Sequence, residues 1–487
     1  MSKARSQVQW ALSLVLIAST LLTACAPTVV TQVVTAPPQV VTQQVEVEVT
    51  RQVDVTTQVE VTAQPGLLPY GLLPGKPFNG TKLKFLICCQ SAAQFFLLNQ
   101  KSLAFTELTG IEVEWGNVPF GEFQTLTQQE GATGAGGWDL VTWVDVWGPG
   151  LFDTVLPLDE LAARDGYDLT DFPEAYLAPG RNKDGQQVGI PFRGHAFTLF
   201  YRQDLYDQLG LKVPTTWAEL EANAKAIQAA NPDIAGLAPY YGVAGGQNMF
   251  LWQSLLWSNG GDLFDENWKP IFNNAAGVEA TQRYVDWLIG PEPIAPVGAV
   301  DFNEQAGQTD LSQGRSAQFI GWSWMYGNFI NPTLAVTDVV GNVAFAPPPG
   351  WEGKGSPATY GYIWEVGIYK NSPNTDAAWE YLKWMTNAEN EKRVALDHTD
   401  PRFINVVVVH KSNMADPEIN ALYDNLQENM LAILDNARGL PMLPEYLQIQ
   451  AILEVAINEM ANGAPVQETL DTAAADVENL LSLAGYY

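Results

Sequence analysis

The sequence predicts an α/β protein, with sheets covered by helices, behind an exported and tethered N-terminus. Strand-like segments such as Lys82–Cys89 (KLKFLICC), Ile111–Trp115 and Asp139–Trp143 (DLVTW) are interleaved with helix-like ones. The helix-like segments carry apolar residues at i, i+3, i+4 and i+7. Apolar residues make up 47% of the 487-residue chain, so the bulk can bury a core, and the length suits two or three ordinary domains.

From the N-terminus, Lys3 and Arg5 precede an apolar run from Trp10 to Leu22. The run falls short of the ~20 residues that cross a bilayer. With small residues after it, it reads as an export signal; the competing reading is an uncleaved anchor. Leu22-Thr23-Ala24-Cys25 resembles the lipobox of bacterial lipoproteins. That resemblance implies cleavage after residue 24, lipidation of Cys25, and anchoring at the outer face of the cytoplasmic membrane. Removing residues 1–24 takes away two bases and no acid, so the net charge moves from −29 to −31. Residues 26–66 repeat Val, Thr and Gln without an aromatic residue, which suits an extended linker better than a packed β-ribbon. The tether, from Cys25 through the turn-rich GLLPYGLLPGKP, spans 25–77, and the globule starts near Phe78.

Within the globule, Thr216-x-x-Glu219 after Pro214 is a capping box, and Trp217, Leu220, Ala224 and Ile227 line one face of the helix it opens. Ile449, Ile452, Leu453, Ala456, Ile457 and Met460 mark a second amphipathic helix. Trp379 and Trp384 read as packing residues of a surface helix.

Composition excludes several function classes. A net charge of −29 argues against nucleic acid and anionic membrane surfaces. Three Cys and three His leave no disulfide framework and little for a metal site, and no cofactor motif is present. There is no phosphate-binding Gly-x-x-x-x-Gly-Lys loop, no His-Glu-x-x-His and no Ser-x-x-Lys, so no enzyme is expected. Cys88 and Cys89 have Cα atoms ~3.8 Å apart, below the usual disulfide range. They read as two small side chains on opposite faces of a strand end, with a strained bridge as the alternative. The excess is aromatic: 16 Trp, 17 Tyr and 20 Phe.

Several segments resemble, in order, the family 1 extracellular solute-binding proteins of ABC importers, which include maltodextrin- and multiple-sugar-binding proteins. These are Ala104–Trp115, Trp138–Leu161 (WDLVTWVDVWGPGLFDTVLPLDEL), Val188–Leu209 (VGIPFRGHAFTLFYRQDLYDQL), Leu211–Leu220 (LKVPTTWAEL), Phe272–Ala280, Gly314–Trp324, Tyr360–Met385 and Leu443–Leu481. The resemblance covers residues 78–487. It implies a two-lobed periplasmic-binding-protein-like fold (type II), with a ligand cleft between discontinuous α/β lobes and three crossings. Lobe I would be 78–192 and 365–420; lobe II would be 193–362 and 425–487. It also implies a monomer that binds a carbohydrate by hinge closure and delivers it to a membrane permease. The alternatives are a non-sugar solute (a polyamine, phosphorylated polyol or peptide) on the same fold, or a secreted glycan-active enzyme.

Sugars offer an apolar face to aromatic rings and hydroxyls to planar polar groups. Gln90, Trp143, Asp145 and Trp147 follow strand ends, where α/β sheets bind ligands. By the resemblance, Arg193 and His195 lie in the first crossing, and Tyr362 and Trp364 in the second. There Tyr360-Gly-Tyr-Ile-Trp departs from the family's Gly-Gly-Trp. Trp322 and Trp324 match a lobe II sugar platform. Tyr240 and Tyr241, after Pro239, and Arg402, after Asp400-Pro401, complete the candidate ligand-binding residues.

Overall fold

The computed structural model describes residues 67–89, 92–133, 137–355, 359–435 and 437–487. The export signal, Cys25, the 26–66 linker and Gln90 lie outside the described residues. Among the described residues no helix is long and apolar enough to cross a membrane.

Eight strands form one curled sheet: β1 (Lys82–Cys88), β2 (Glu112–Val118), β3 (Leu140–Val144), β4 (Ile190–Arg202), β5 (Gln318–Trp322), β6 (Val343–Ala346), β7 (Thr359–Ile368) and β8 (Ala437–Arg438). Their order is β2-β1-β3-β7-β4-β5, with β6 also on β4 and β8 on β7. β1 runs parallel to β2 and β3, while β7 is antiparallel to both β3 and β4. β3, β4 and β5 are buried along their whole length, as strands covered on both faces are.

Two strands organise the molecule. β4 has 13 residues and β7 has 10, well above the usual ~5–6. The first half of β4 pairs with β7, and its second half with β5 and β6. β7 in turn pairs through Trp364–Ile368 with β3. The β4–β7 ribbon thus carries the chain from a half-sheet built on β1, β2 and β3 to one built on β5 and β6.

From Arg193 onward, past a register irregularity at Pro191–Arg193, the alternation Arg193-Gly194-His195-Ala196-Phe197 sends large side chains to one face and small residues to the other. The small face is required. A Cβ on Gly194 would lie 2.5 Å from the Tyr176 ring. Cβ atoms on Gly189 and Gly367 would meet the Trp143 ring at 2.6 and 2.7 Å.

The expected helices form where their signals stand. Thr216 accepts from the Glu219 amide and Glu219 reaches back, a complete capping box on Trp217–Ala230. The second amphipathic helix runs from Tyr446 to Ala461. The Thr375–Met385 helix corrects an expectation: it packs in the interior, with Trp379 and Trp384 fully buried. Trp379 donates its indole N–H to Asp165, and Trp384 packs on Phe105 and Tyr381. A second correction concerns Cys88 and Cys89, which are joined as a vicinal disulfide at the end of β1. The bridge sits where Cys89 takes a left-handed backbone conformation, φ 61°, as the strand turns toward the next helix. The opposite-face expectation assumed that the strand continued.

Candidate functional site

The large face of the β4–β7 ribbon gathers the aromatic excess. Register places Arg193 opposite Trp364 and His195 opposite Tyr362; Phe197 lies opposite Trp322 of β5. Trp322 is the hub. Its ring centroid lies 4.9–5.2 Å from those of Phe250, Phe197, Tyr360 and Tyr362. His195 stacks on Tyr362 at 6.2 Å and lies 6.4 Å from both Trp322 and Trp324. The Arg193 guanidinium lies over the rings of Phe95, Trp324 and Trp364, at 5.1, 5.6 and 5.9 Å. Trp147 and Phe123 extend the aromatic surface past Trp364.

Two carboxyl groups enter this surface. Asp145, past the end of β3, accepts from the Tyr360 hydroxyl at 2.9 Å and from the Val146 amide. Glu304, at the start of the Glu304–Ser312 helix, accepts the Trp322 indole N–H at 2.9 Å. Burial pushes the Asp145 carboxyl up to about 7, against the opposing pull of Val146 and Tyr360. Burial likewise pushes Glu304 up to about 8, with the Trp322 bond and Arg193 opposing. Burial, then the neighbouring Arg193 charge, holds His195 well below the usual histidine range, so it is a neutral ring. Both of its nitrogens are buried without a partner, as is Arg193 Nε. These are polar atoms of the kind a ligand's hydroxyls satisfy.

The raised acids carry a stability consequence. Unfolded, they ionise near ~4; folded, they keep their protons to about 7 and 8. Their protonated form favours the folded state, so their contribution is lost as pH rises toward the folded values. His195 acts in the opposite sense, but only below its ordinary pKa of ~6.5. The melting temperature is therefore expected to fall between pH 6.5 and about 8. Glu304→Gln should flatten that fall; an equal slope in the variant would remove Glu304 as its source.

The structure brings together Asp145, Trp147, Arg193, His195, Trp322, Trp324, Tyr362 and Trp364. The other candidates lie elsewhere. Trp143 is wholly buried behind the ribbon, against Gly189 and Gly367. Tyr240 and Tyr241 are fully buried in packing, with hydroxyls donated to the Ile320 and Tyr284 carbonyls. Arg402 is exposed and paired with Asp400 within its own turn. Phe95, Phe250, Glu304 and Tyr360 belong to the cluster without having been singled out. Of these only Tyr360 carried a sequence signal, its period-2 spacing with Tyr362 and Trp364. Among the described residues, no three His, Cys, Asp or Glu side chains converge where they could hold a metal ion.

The sequence profile of the bacterial extracellular solute-binding protein family matches residues 91–392, more than half of the chain. The chain belongs to this family. As a bacterial extracellular solute-binding protein, it serves an ABC importer by capturing a solute outside the cell. It is similar to a probable amino-acid ABC transporter periplasmic-binding protein of Sinorhizobium fredii, with 26% identity over 84% of this chain and 92% of the other. A mannitol-binding protein of Pseudomonas aeruginosa is 30% identical over 44% of this chain and 49% of the other. A solute-binding protein of Agrobacterium radiobacter, solved with ribitol, superposes with a TM-score of 0.72 at 27% identity. That alignment covers 83% of this chain and all of the other. The two-lobed fold is thus that of the family, and the curled sheet with its two long strands is how this solute-binding protein builds it.

Proposed function

We propose that this solute-binding protein captures a sugar or polyol on the aromatic face of the β4–β7 ribbon and closes over it by a hinge in the crossing strands. The lobes in this reading are 78–192 with 365–420, and 193–362 with 425–487. Cys25 carries the lipid anchor, and the 26–66 linker holds a monomeric globule off the membrane within reach of a permease.

One observation carries the reading. Rings contributed from both halves of the sheet converge on two strands, among buried polar atoms without partners. Aromatic faces cover the C–H face of a sugar, while neutral His195 and the carboxyls of Asp145 and Glu304 accept or donate to hydroxyls. The ribitol and mannitol of the relatives fit this division of labour. Ligand touching both lobes would shift the open–closed population toward closure.

The test is a thermal-shift screen of the purified chain against ribitol, D-mannitol, maltose and glucose. A ligand present at ~100 times its Kd stabilises by about 2.7 kcal/mol. A clear rise is expected with at least one polyol or sugar, with the compound recovered unchanged. No rise with any member of a broad sugar and polyol panel, or conversion of the compound, would count against the reading.

A further inference from the structure

The cations of the interior are not treated alike. Three Lys or Arg side chains are nine-tenths or more buried among the described residues: Arg193, Arg202 and Lys383. Arg202 grips Asp204 through Nε and Nη2. Lys383 holds Asp165 and Glu380. The side chain of Arg193, a residue 9% exposed, makes neither a hydrogen bond nor an ion pair with any described residue, and its Nε is buried without a partner. It touches rings only, and stands midway along the ribbon where the two halves of the sheet meet.

A buried cation without a counter-charge costs several kcal/mol, and a cation–π contact of ~0.5–2 kcal/mol does not replace an anion. Glu304 is the one carboxyl whose charge bears on Arg193, and it is no ion-pair partner; its Oε2 is taken by the Trp322 indole. The guanidinium fork matches a carboxylate in shape and charge. A phosphate dianion would call for a second cation, and the cluster offers instead a neutral histidine and two carboxyls. Around Arg193 stand the groups suited to hydroxyls: both nitrogens of His195, Glu304 and the Tyr362 phenol.

We infer that the solute is a sugar acid, an aldonate or uronate whose carboxylate lies on the Arg193 guanidinium while its hydroxylated chain lies along His195, Tyr362 and Trp322. This rests on the proposed placement of the ligand on the β4–β7 ribbon and narrows its chemical class.

The experiment is calorimetric titration of the full-length chain with D-gluconate, D-mannonate and D-glucuronate, alongside D-mannitol, ribitol, glucose and L-glutamate. A charge-assisted bond contributes about 1.5–3 kcal/mol, so at least one sugar acid should bind about tenfold or more tighter than the polyol or sugar it derives from. Arg193→Gln should collapse that ratio toward one, with Arg193→Lys keeping part of it; circular dichroism checks that both variants fold. The wild-type ratio stands independently of either variant. If mannitol, ribitol or glucose binds as tightly as every acid, the carboxylate assignment fails while the sugar-binding reading survives. If glutamate alone binds, a carboxylate site remains but the sugar acid is wrong. If no compound in the set binds, both the inference and the reading beneath it fall.

Discussion

Replacing Trp322 by alanine is expected to abolish ligand-induced stabilisation and to lower the stability of the unliganded protein by about 3–5 kcal/mol. The double effect follows from its position. The ring is 3% exposed and packs on Phe197, Phe250, Tyr360 and Tyr362, so truncation opens a cavity under the proposed ligand platform. It also removes the indole N–H that Glu304 accepts. Because loss of binding could follow from loss of fold, Trp322→Phe separates the two. Phenylalanine keeps an aromatic ring in the cluster and removes the N–H with the rest of the five-membered ring, for about 1–3 kcal/mol. Urea denaturation and calorimetric titration of both variants make the comparison. A Trp322→Ala protein that binds with the parent's affinity would take Trp322 out of the site.

The same residue shows how far the sequence could be read. Strands and helices were legible because local alternation and capping residues report them directly. The crossing strands were partly legible: the period-2 spacing of Arg193 with His195, and of Tyr362 with Trp364, puts each pair on one face of its strand. What escaped was set by tertiary packing. Glu304 and Phe250 sit on helices far along the chain from β4, and reach the cluster only because those helices stand over the end of β5. Trp143 shows the opposite failure. It shares period-2 spacing with Asp145 and Trp147, yet β3 ends at Val144 and the chain turns, so the spacing no longer means a shared face. Tyr240 and Tyr241 follow a proline as loop aromatics do, but their hydroxyls find backbone carbonyls inside the protein. The Cys88–Cys89 bridge escaped for a related reason, since the backbone leaves the extended conformation at Cys89.

A substitution outside the aromatic cluster, Lys383→Met, is expected to cost about 3–5 kcal/mol of stability and to leave ligand affinity unchanged. Lys383 Nζ lies 2.8 Å from Asp165 and 2.7 Å from Glu380, all three side chains at most 6% exposed. It also donates to the Gly71 carbonyl at 2.8 Å, and Glu380 accepts the Leu73 amide. The lysine therefore joins the buried Thr375–Met385 helix to the turn-rich segment that leads in from the tether. Burial pushes the Asp165 carboxyl up, yet Arg164 and Lys383 together hold it at about 2. Its contribution is present above the unfolded value of ~3.9 and is lost as pH falls through about 2. Without Lys383, Asp165 keeps Arg164, whereas Glu380 is left as a buried carboxylate with no cation. The cost is thus assigned to the orphaned acid rather than to the lost methylene packing, because methionine replaces most of the stem. That assignment has its own check: Lys383→Met combined with Glu380→Gln should recover much of the loss, since a neutral amide no longer needs a charge. Denaturation midpoints of the single and double variants decide it. A double variant no more stable than the single one would show that Lys383 acts through the Gly71 carbonyl or its packing, and not through Glu380.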